Sequence, residues 1–162
     1  TGAGLALLQA ANKPGRFAGI VSINGPARLQ NTSARYTPFV VGWNRLMSAL
    51  RIRRARLEYV ENRPENPHIN YTRNPVSGVY ELDRLMKYVK SRLTGINDPV
   101  LVIQGSDDPV VNPISGAELF SLLGSADKQL VQVAAGHHGI LRGDVSEDVN
   151  EKVLAFFKSV FD

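Results

Sequence analysis

Pro99-Val-Leu-Val-Ile-Gln-Gly-Ser-Asp-Asp-Pro-Val-Val-Asn-Pro113 opens on an apolar, largely β-branched run of the kind found in fully buried strands, and the run breaks at Gly105. A helix-length interval separates it from Leu130-Val-Gln-Val-Ala-Ala-Gly-His-His-Gly139, a second run of similar character. Each run is followed closely by ionisable side chains: Asp107 and Asp108 after the first, His137 and His138 after the second. In an open parallel sheet, residues just past the strand ends are where side chains converge on a ligand. A carboxylate and an imidazole delivered to one rim are the orienting and proton-transferring parts of a nucleophilic site.

The same rhythm extends towards the N-terminus. Phe17 to Ile23 is short and apolar, bounded by Gly15 before and Asn24-Gly25-Pro26 after, which suits a buried parallel strand. Gly4 to Asn12 is rich in Ala and Leu and runs into Lys13-Pro14-Gly15, a helix stop. Pro113 to Leu123, opening on a proline suited to a first helical turn, predicts a helix between the two later strands. Ser146 to Phe161 begins with an N-cap serine and two acids and carries a stripe of Val149, Val153, Phe156, Phe157 and Val160. The pattern predicts an α/β class with about three parallel core strands, Phe17 to Ile23, Val100 to Gln104 and Gln129 to Val133, flanked by helices.

Between residues 27 and 97 the alternation lapses, and a structureless loop of that length would be rare in a compact domain. Pro38 to Leu50 spaces Phe39, Val40, Trp43, Leu46, Met47 and Leu50 as a helix does. Gly78 to Leu93 does the same with Leu82, Leu85, Met86, Val89 and Leu93. Glu61 to Pro75, rich in Pro and Asn, reads as an irregular connection. The division expected is a core of residues 1–26 and 98–162 with a helical insertion at 27–97.

With 43% hydrophobic and 21% charged residues, the 162-residue chain has the balance of a folded domain and enough length for one core. No apolar run approaches the ~20 residues of a membrane-spanning helix, and no secretory leader pattern opens the chain, so localisation stays open. The absence of cysteine excludes disulfides and thiolate metal sites within these residues. The net charge of +4 is concentrated in Arg45, Arg51, Arg53, Arg54, Arg56 and Arg63, opposed in that stretch by Glu58 and Glu61. Such a run is ordinarily a solvated helix face, with attraction of an anionic substrate or membrane surface as the functional alternative. Nucleic acid is disfavoured, because no recognition-helix or aromatic-and-basic strand pattern accompanies the arginines.

Acid before histidine, with a nucleophile expected upstream, is the chain order of the α/β-hydrolases. The chain resembles the C-terminal portion of that superfamily, closest to its carboxylesterase and monoacylglycerol-lipase-like group. Thr1-Gly-Ala-Gly-Leu-Ala-Leu-Leu-Gln-Ala-Ala11 is similar to the stretch directly after the serine of the G-x-S-x-G elbow. Asn74-Pro-Val-Ser-Gly-Val-Tyr-Glu-Leu-Asp-Arg-Leu85 resembles the group's cap-to-strand junction, and Lys128-Gln-Leu-Val-Gln-Val-Ala-Ala-Gly-His137 its last strand. The resemblance implies a nucleophilic serine one residue before Thr1, these 162 residues being a fragment that starts just after it. It further implies a helical cap at 27–97 over an acyl site, and hydrolysis of small acyl-ester substrates without metal or cofactor. The alternative is a catalytically silent fragment or a binding and assembly module. Its sheet edge beside Phe17 to Ile23 would pair with another copy or with an N-terminal segment.

The resemblance also distributes roles. Asp108 falls in the acid position, with Asp107 as the rival; adjacent aspartates before a proline also suit a plain turn. His137, directly after a glycine, falls in the position of the general base, and His138 is its alternate. The expected contact is a hydrogen bond between Asp108 and one ring nitrogen of His137. The two histidines as metal ligands are a weaker reading, for no third ligand stands at a suitable spacing. Thr1 matches the residue whose backbone N–H serves the oxyanion hole. Thr1 as an N-terminal nucleophile would need a layered β-rich fold that these elements do not supply.

Overall fold

The computed structural model describes residues 1–62, 68 and 71–161. The elements run α1 (Gly2–Asn12), β1 (Ile20–Ile23), α2 (Thr37–Ala49), β2 (Tyr59–Glu61), β3 (Arg73–Pro75), α3 (Val76–Lys90), β4 (Val100–Gly105), α4 (Ile114–Leu122), β5 (Lys128–Val133) and α5 (Ser146–Phe161). They divide into two compact units, Thr1–Gln30 with Met86–Asp162, and Asn31–Leu85.

The first unit is built on a parallel sheet in the order β1-β4-β5, with Ile20 opposite Val100 and Val100 opposite Lys128. The central strand β4 has a neighbour on each side and every residue buried, which is why its sequence is a continuous apolar run. β1 is shorter than the predicted Phe17 to Ile23, because Asp98 captures the chain before it. That buried carboxylate accepts the N–H groups of Gly15 and Phe17, each at 3.1 Å, and pins the turn after α1 to the approach of β4.

Side-chain alternation along β4 assigns its two faces. Leu101 and Ile103 join Val133, Ala135, Ile140, Val149 and Phe156 in one core cluster, so the predicted stripe of α5 covers this face. The opposite face, carrying Gln104, meets α4 at Gly116, where an added Cβ would lie 2.7 Å from the Gln104 Cβ. Only a residue without a side chain lets the helix approach this closely. At the far end of α4, the Lys128 ammonium donates to the carbonyls of Phe120 and Leu123 at 3.0 and 2.8 Å, satisfying groups the helix leaves open.

Glu118 on α4 is a polar node in the same unit. Arg28 Nε and Lys90 Nζ reach its two oxygens at 2.6 and 3.0 Å. Burial alone would raise the Glu118 carboxyl, but the hydrogen bonds and positive charges of Lys90 and Arg28 outweigh it and hold the group below its ordinary value.

Within the second unit, polar clamps tie α2 to the residues C-terminal to it. Trp43 Nε1 donates to the Ala55 carbonyl at 2.7 Å, and the Asn44 carboxamide exchanges hydrogen bonds with the Leu57 backbone, both 2.8 Å. Met47 is buried, whereas Phe39, Trp43, Leu46 and Leu50 are exposed. Of the arginine run, Arg45 is exposed on α2, and the other described members lie past the end of that helix. Arg51 sits in a left-handed turn at φ 58°, Arg53 and Arg54 lie on a 3-10 turn, and Arg56 pairs with Glu58 at 2.7 Å. Arg63 lies outside the described residues. The irregular connection expected over Glu61 to Pro75 is in part a ladder, with β2 and β3 antiparallel from Tyr59 opposite Pro75 to Glu61 opposite Arg73. Residues 63–67, 69 and 70 of that stretch also lie outside the described residues.

Candidate active site

Past the end of β4 the chain keeps step with the tail of β5. Ser106 N–H donates to the Val133 carbonyl at 2.9 Å and Asp107 N–H to the Ala135 carbonyl at 3.1 Å. The acid loop and the histidine loop are thereby held side by side beyond the last formal strand residues.

The two aspartates then part company. Asp107 is exposed and accepts a 2.7 Å bond from the hydroxyl of Ser106. Asp108 is 1% exposed, and its two oxygens have different partners. Oδ1 accepts the N–H groups of Val110 and Val111 at 2.8 and 2.9 Å, building the turn at Pro109. Oδ2 lies 2.7 Å from Nδ1 of His138. One oxygen thus builds the turn and the other meets the imidazole.

The geometry corrects the expectation for the histidine. His138, the alternate, meets Asp108, whereas His137 Nε2 lies 3.2 Å from the Arg142 carbonyl and 3.8 Å from Asp144. The reason lies in the loop backbone. The His138 carbonyl accepts from Ile140 N–H at 3.1 Å and from Asn24 Nδ2 at 2.8 Å, and this fixes the residue beside the acid. The His137 ring follows the loop towards Gly143, which turns at φ 90°. With an ionised Asp108 accepting, the proton sits on Nδ1 of His138, and Nε2 is the nitrogen suited to exchange a proton with a nucleophile.

Thr1 is exposed and precedes α1, its carbonyl accepting Leu5 N–H at 3.2 Å. The first turn of α1 flanks the end of β1, since a Cβ on Gly25 would stand 3.6 Å from the Cβ of Ala3. The start of α1 and the ends of β4 and β5 are thus gathered around the Asn24-Gly25 corner. Asn24, only a strand boundary in the sequence, bonds both the exit of β4 and the His138 carbonyl. A lone Asn at a strand end, a residue type that tolerates left-handed backbone, was the available signal, and here it adopts φ 46°. Among the described residues, no group of three or more His, Cys, Asp or Glu side chains is placed to hold a metal ion. No described helix is long and apolar enough to cross a membrane.

Comparison with known proteins agrees with this architecture. The family described as serine aminopeptidase S33, Hydrolase_4, matches residues 1–144. The thermostable monoacylglycerol lipase of Bacillus sp. (strain H-257) is 27% identical over 94 residues, covering 58% of this chain and 38% of that protein. A solved structure of a metagenome-derived lipolytic enzyme superposes with a TM-score of 0.77 at 22% identity, over 98% of this chain and 62% of its own. The monoacylglycerol lipase of Paleococcus ferrophilus gives 0.73 at 17%, over 98% and 65%. The chain spans less than two thirds of the length of each of these relatives.

Proposed function

Because the chain belongs to the serine aminopeptidase S33 family and carries part of the α/β-hydrolase fold, we propose that it supplies the acid and base of a serine hydrolase acting on carboxylic esters. The observation that carries this reading is the 2.7 Å contact between buried Asp108 and His138 at the C-terminal rim of a parallel sheet. The names of the relatives, monoacylglycerol lipases and a lipolytic enzyme, support an ester over an amide substrate.

In the proposed reaction the serine Oγ attacks the ester carbonyl carbon while its proton passes to Nε2 of His138. Asp108 holds the imidazole in the tautomer with Nδ1 protonated and stabilises the cation that forms. The oxyanion is bound by backbone N–H groups, that of Thr1 among them when it is in peptide linkage to a preceding serine. The tetrahedral adduct collapses, the alcohol leaves with the proton from Nε2, and water repeats the sequence on the acyl-enzyme. The insertion between residues 27 and 97 is the proposed cap that selects the acyl group.

The test uses the full-length protein bearing this chain and short-chain nitrophenyl esters. His138→Ala and Asp108→Asn should each lower kcat by about ten-thousand-fold, while His137→Ala should stay within about threefold of the parent. A His137→Ala variant as impaired as His138→Ala would overturn the assignment of the base.

A second reading is favoured by one observation. β1 lies at the edge of its sheet, with no strand on its outer side among the described residues. Its open N–H and C=O groups suit pairing with a further strand, from an N-terminal segment or a second copy. Light scattering of the isolated 162-residue chain, with and without added N-terminal segment, separates the two: a concentration-dependent dimer that the segment dissolves supports both pairings, and a stable monomer that ignores the segment refutes them.

A further inference from the structure

We infer that Asn24 is a positioning residue for the Asp108–His138 pair, an inference that rests on the hydrolase reading for its catalytic consequence but not for its structural one. Asn24 is 3% exposed and stands where β1 ends. Its Oδ1 accepts Gly105 N–H at 2.8 Å, at the exit of the acid strand. Its Nδ2 donates to the His138 carbonyl at 2.8 Å, in the middle of the histidine loop. One carboxamide thus spans two chain segments that each carry a member of the pair, and it does so from a third.

The chemistry explains why this position asks for Asn. The bridge needs an acceptor and a donor on one short planar group, which the carboxamide of Asn supplies whatever the pH. The backbone at φ 46° lies in the left-handed region, where Asn is among the few side chains tolerated. Gln would add a methylene inside a buried site already bonded at both ends. Removing the donor takes away the 2.8 Å bond that ties the His138 carbonyl to the end of β1 and loosens the loop that holds the ring beside Asp108.

Two substitutions separate this role from simple structural support. Asn24→Asp keeps left-handed tolerance and the acceptor for Gly105 N–H but sets a carboxylate oxygen against the His138 carbonyl. Asn24→Gly keeps the backbone and removes both bonds. In the full-length protein, both variants should lose about a hundredfold in kcat with KM within about twofold, because a shift of about 1 Å at a catalytic group has that effect. In the chain itself, the downfield Nδ1 proton resonance of His138 should broaden or move in both. An Asn24→Asp variant with parental kcat and an unmoved resonance overturns the inference, since anchoring Gly105 would then suffice. Should either variant fail to fold, the unsubstituted chain decides. Asn24 carboxamide protons protected from exchange and close to the His138 loop support the bridge, and freely exchanging ones refute it. His138→Ala serves as the control for the hydrolase reading: if that variant retains activity, the catalytic role fails while the resonance still tests the bridge.

Discussion

Asp108→Asn and Asp108→Ala should separate two jobs that one carboxylate performs. Oδ1 holds the turn through Val110 N–H and Val111 N–H, and Oδ2 meets His138. Each hydrogen bond from a buried N–H to a charged acceptor contributes about 1.5 kcal/mol, so removing both in Asp108→Ala should cost about 3 kcal/mol of stability. Asn retains a neutral oxygen for the same two donors, and neutral bonds are roughly half as strong as charge-assisted ones. Asp108→Asn should therefore cost about 1.5 kcal/mol, while placing an NH2 group against Nδ1–H and forcing the imidazole into the wrong tautomer. Urea denaturation of the chain, read by circular dichroism, gives the stability difference; ester turnover by the full-length protein gives the other. The expected result is an Asn variant that is the more stable of the two yet as inactive as Ala. Equal destabilisation by both substitutions would refute the division of labour, as would an Ala variant within about 0.5 kcal/mol of the parent.

Gly116→Ala should destabilise the chain by about 1–3 kcal/mol, because the new methyl would meet the Gln104 Cβ, which cannot swing aside; an unchanged urea midpoint would show that α4 can lift from the sheet at no cost. Glu118 predicts a pH dependence whose sign comes from its lowered carboxyl: stability from the Arg28 and Lys90 contacts is fully present above the ordinary value of 4.5 and is lost as pH falls through the lower folded value. Glu118→Gln should thus be less stable than the parent at pH 7, with the gap closing as pH falls below 4.5 and through the lower folded value, and a gap independent of pH would contradict it.

The strand β4 was legible because its surroundings are uniform, whereas β5, a partly exposed edge strand, was placed by its similarity to the last strand of the resembled group. A strand buried on both faces must be apolar throughout, and Val100 to Gln104 shows it. The end of β1 was also clear, at Asn24-Gly25-Pro26, whereas its start was not. Asp98, far along the sequence, takes the N–H of Phe17, and no local pattern announces so remote a partner. The resemblance puts the acid at Asp108, and of the two aspartates Asp108 is the buried one, a difference that adjacent identical side chains do not announce. The choice between His137 and His138 was not readable from adjacent identical side chains. It turns on Asn24 holding the His138 carbonyl, and that contact spans 114 positions of sequence. Arg51 to Arg56 depart from the expected helix face for a related reason: charge density says that a segment is solvated, not which backbone conformation it adopts.

The two backbone bonds that carry the β4–β5 pairing past its formal end, Ser106 N–H to Val133 and Asp107 N–H to Ala135, have a consequence for how the molecule opens. Amides bonded in this way should exchange with solvent more slowly than those of an unpaired loop, which ties the acid loop to the opening of the core strands. The histidine loop is fastened differently, through Asn24, Ile140 and the imidazole contact. Local fluctuation should therefore release His138 from a stationary Asp108, and the base, not the acid, is the part of the pair that unfastens first.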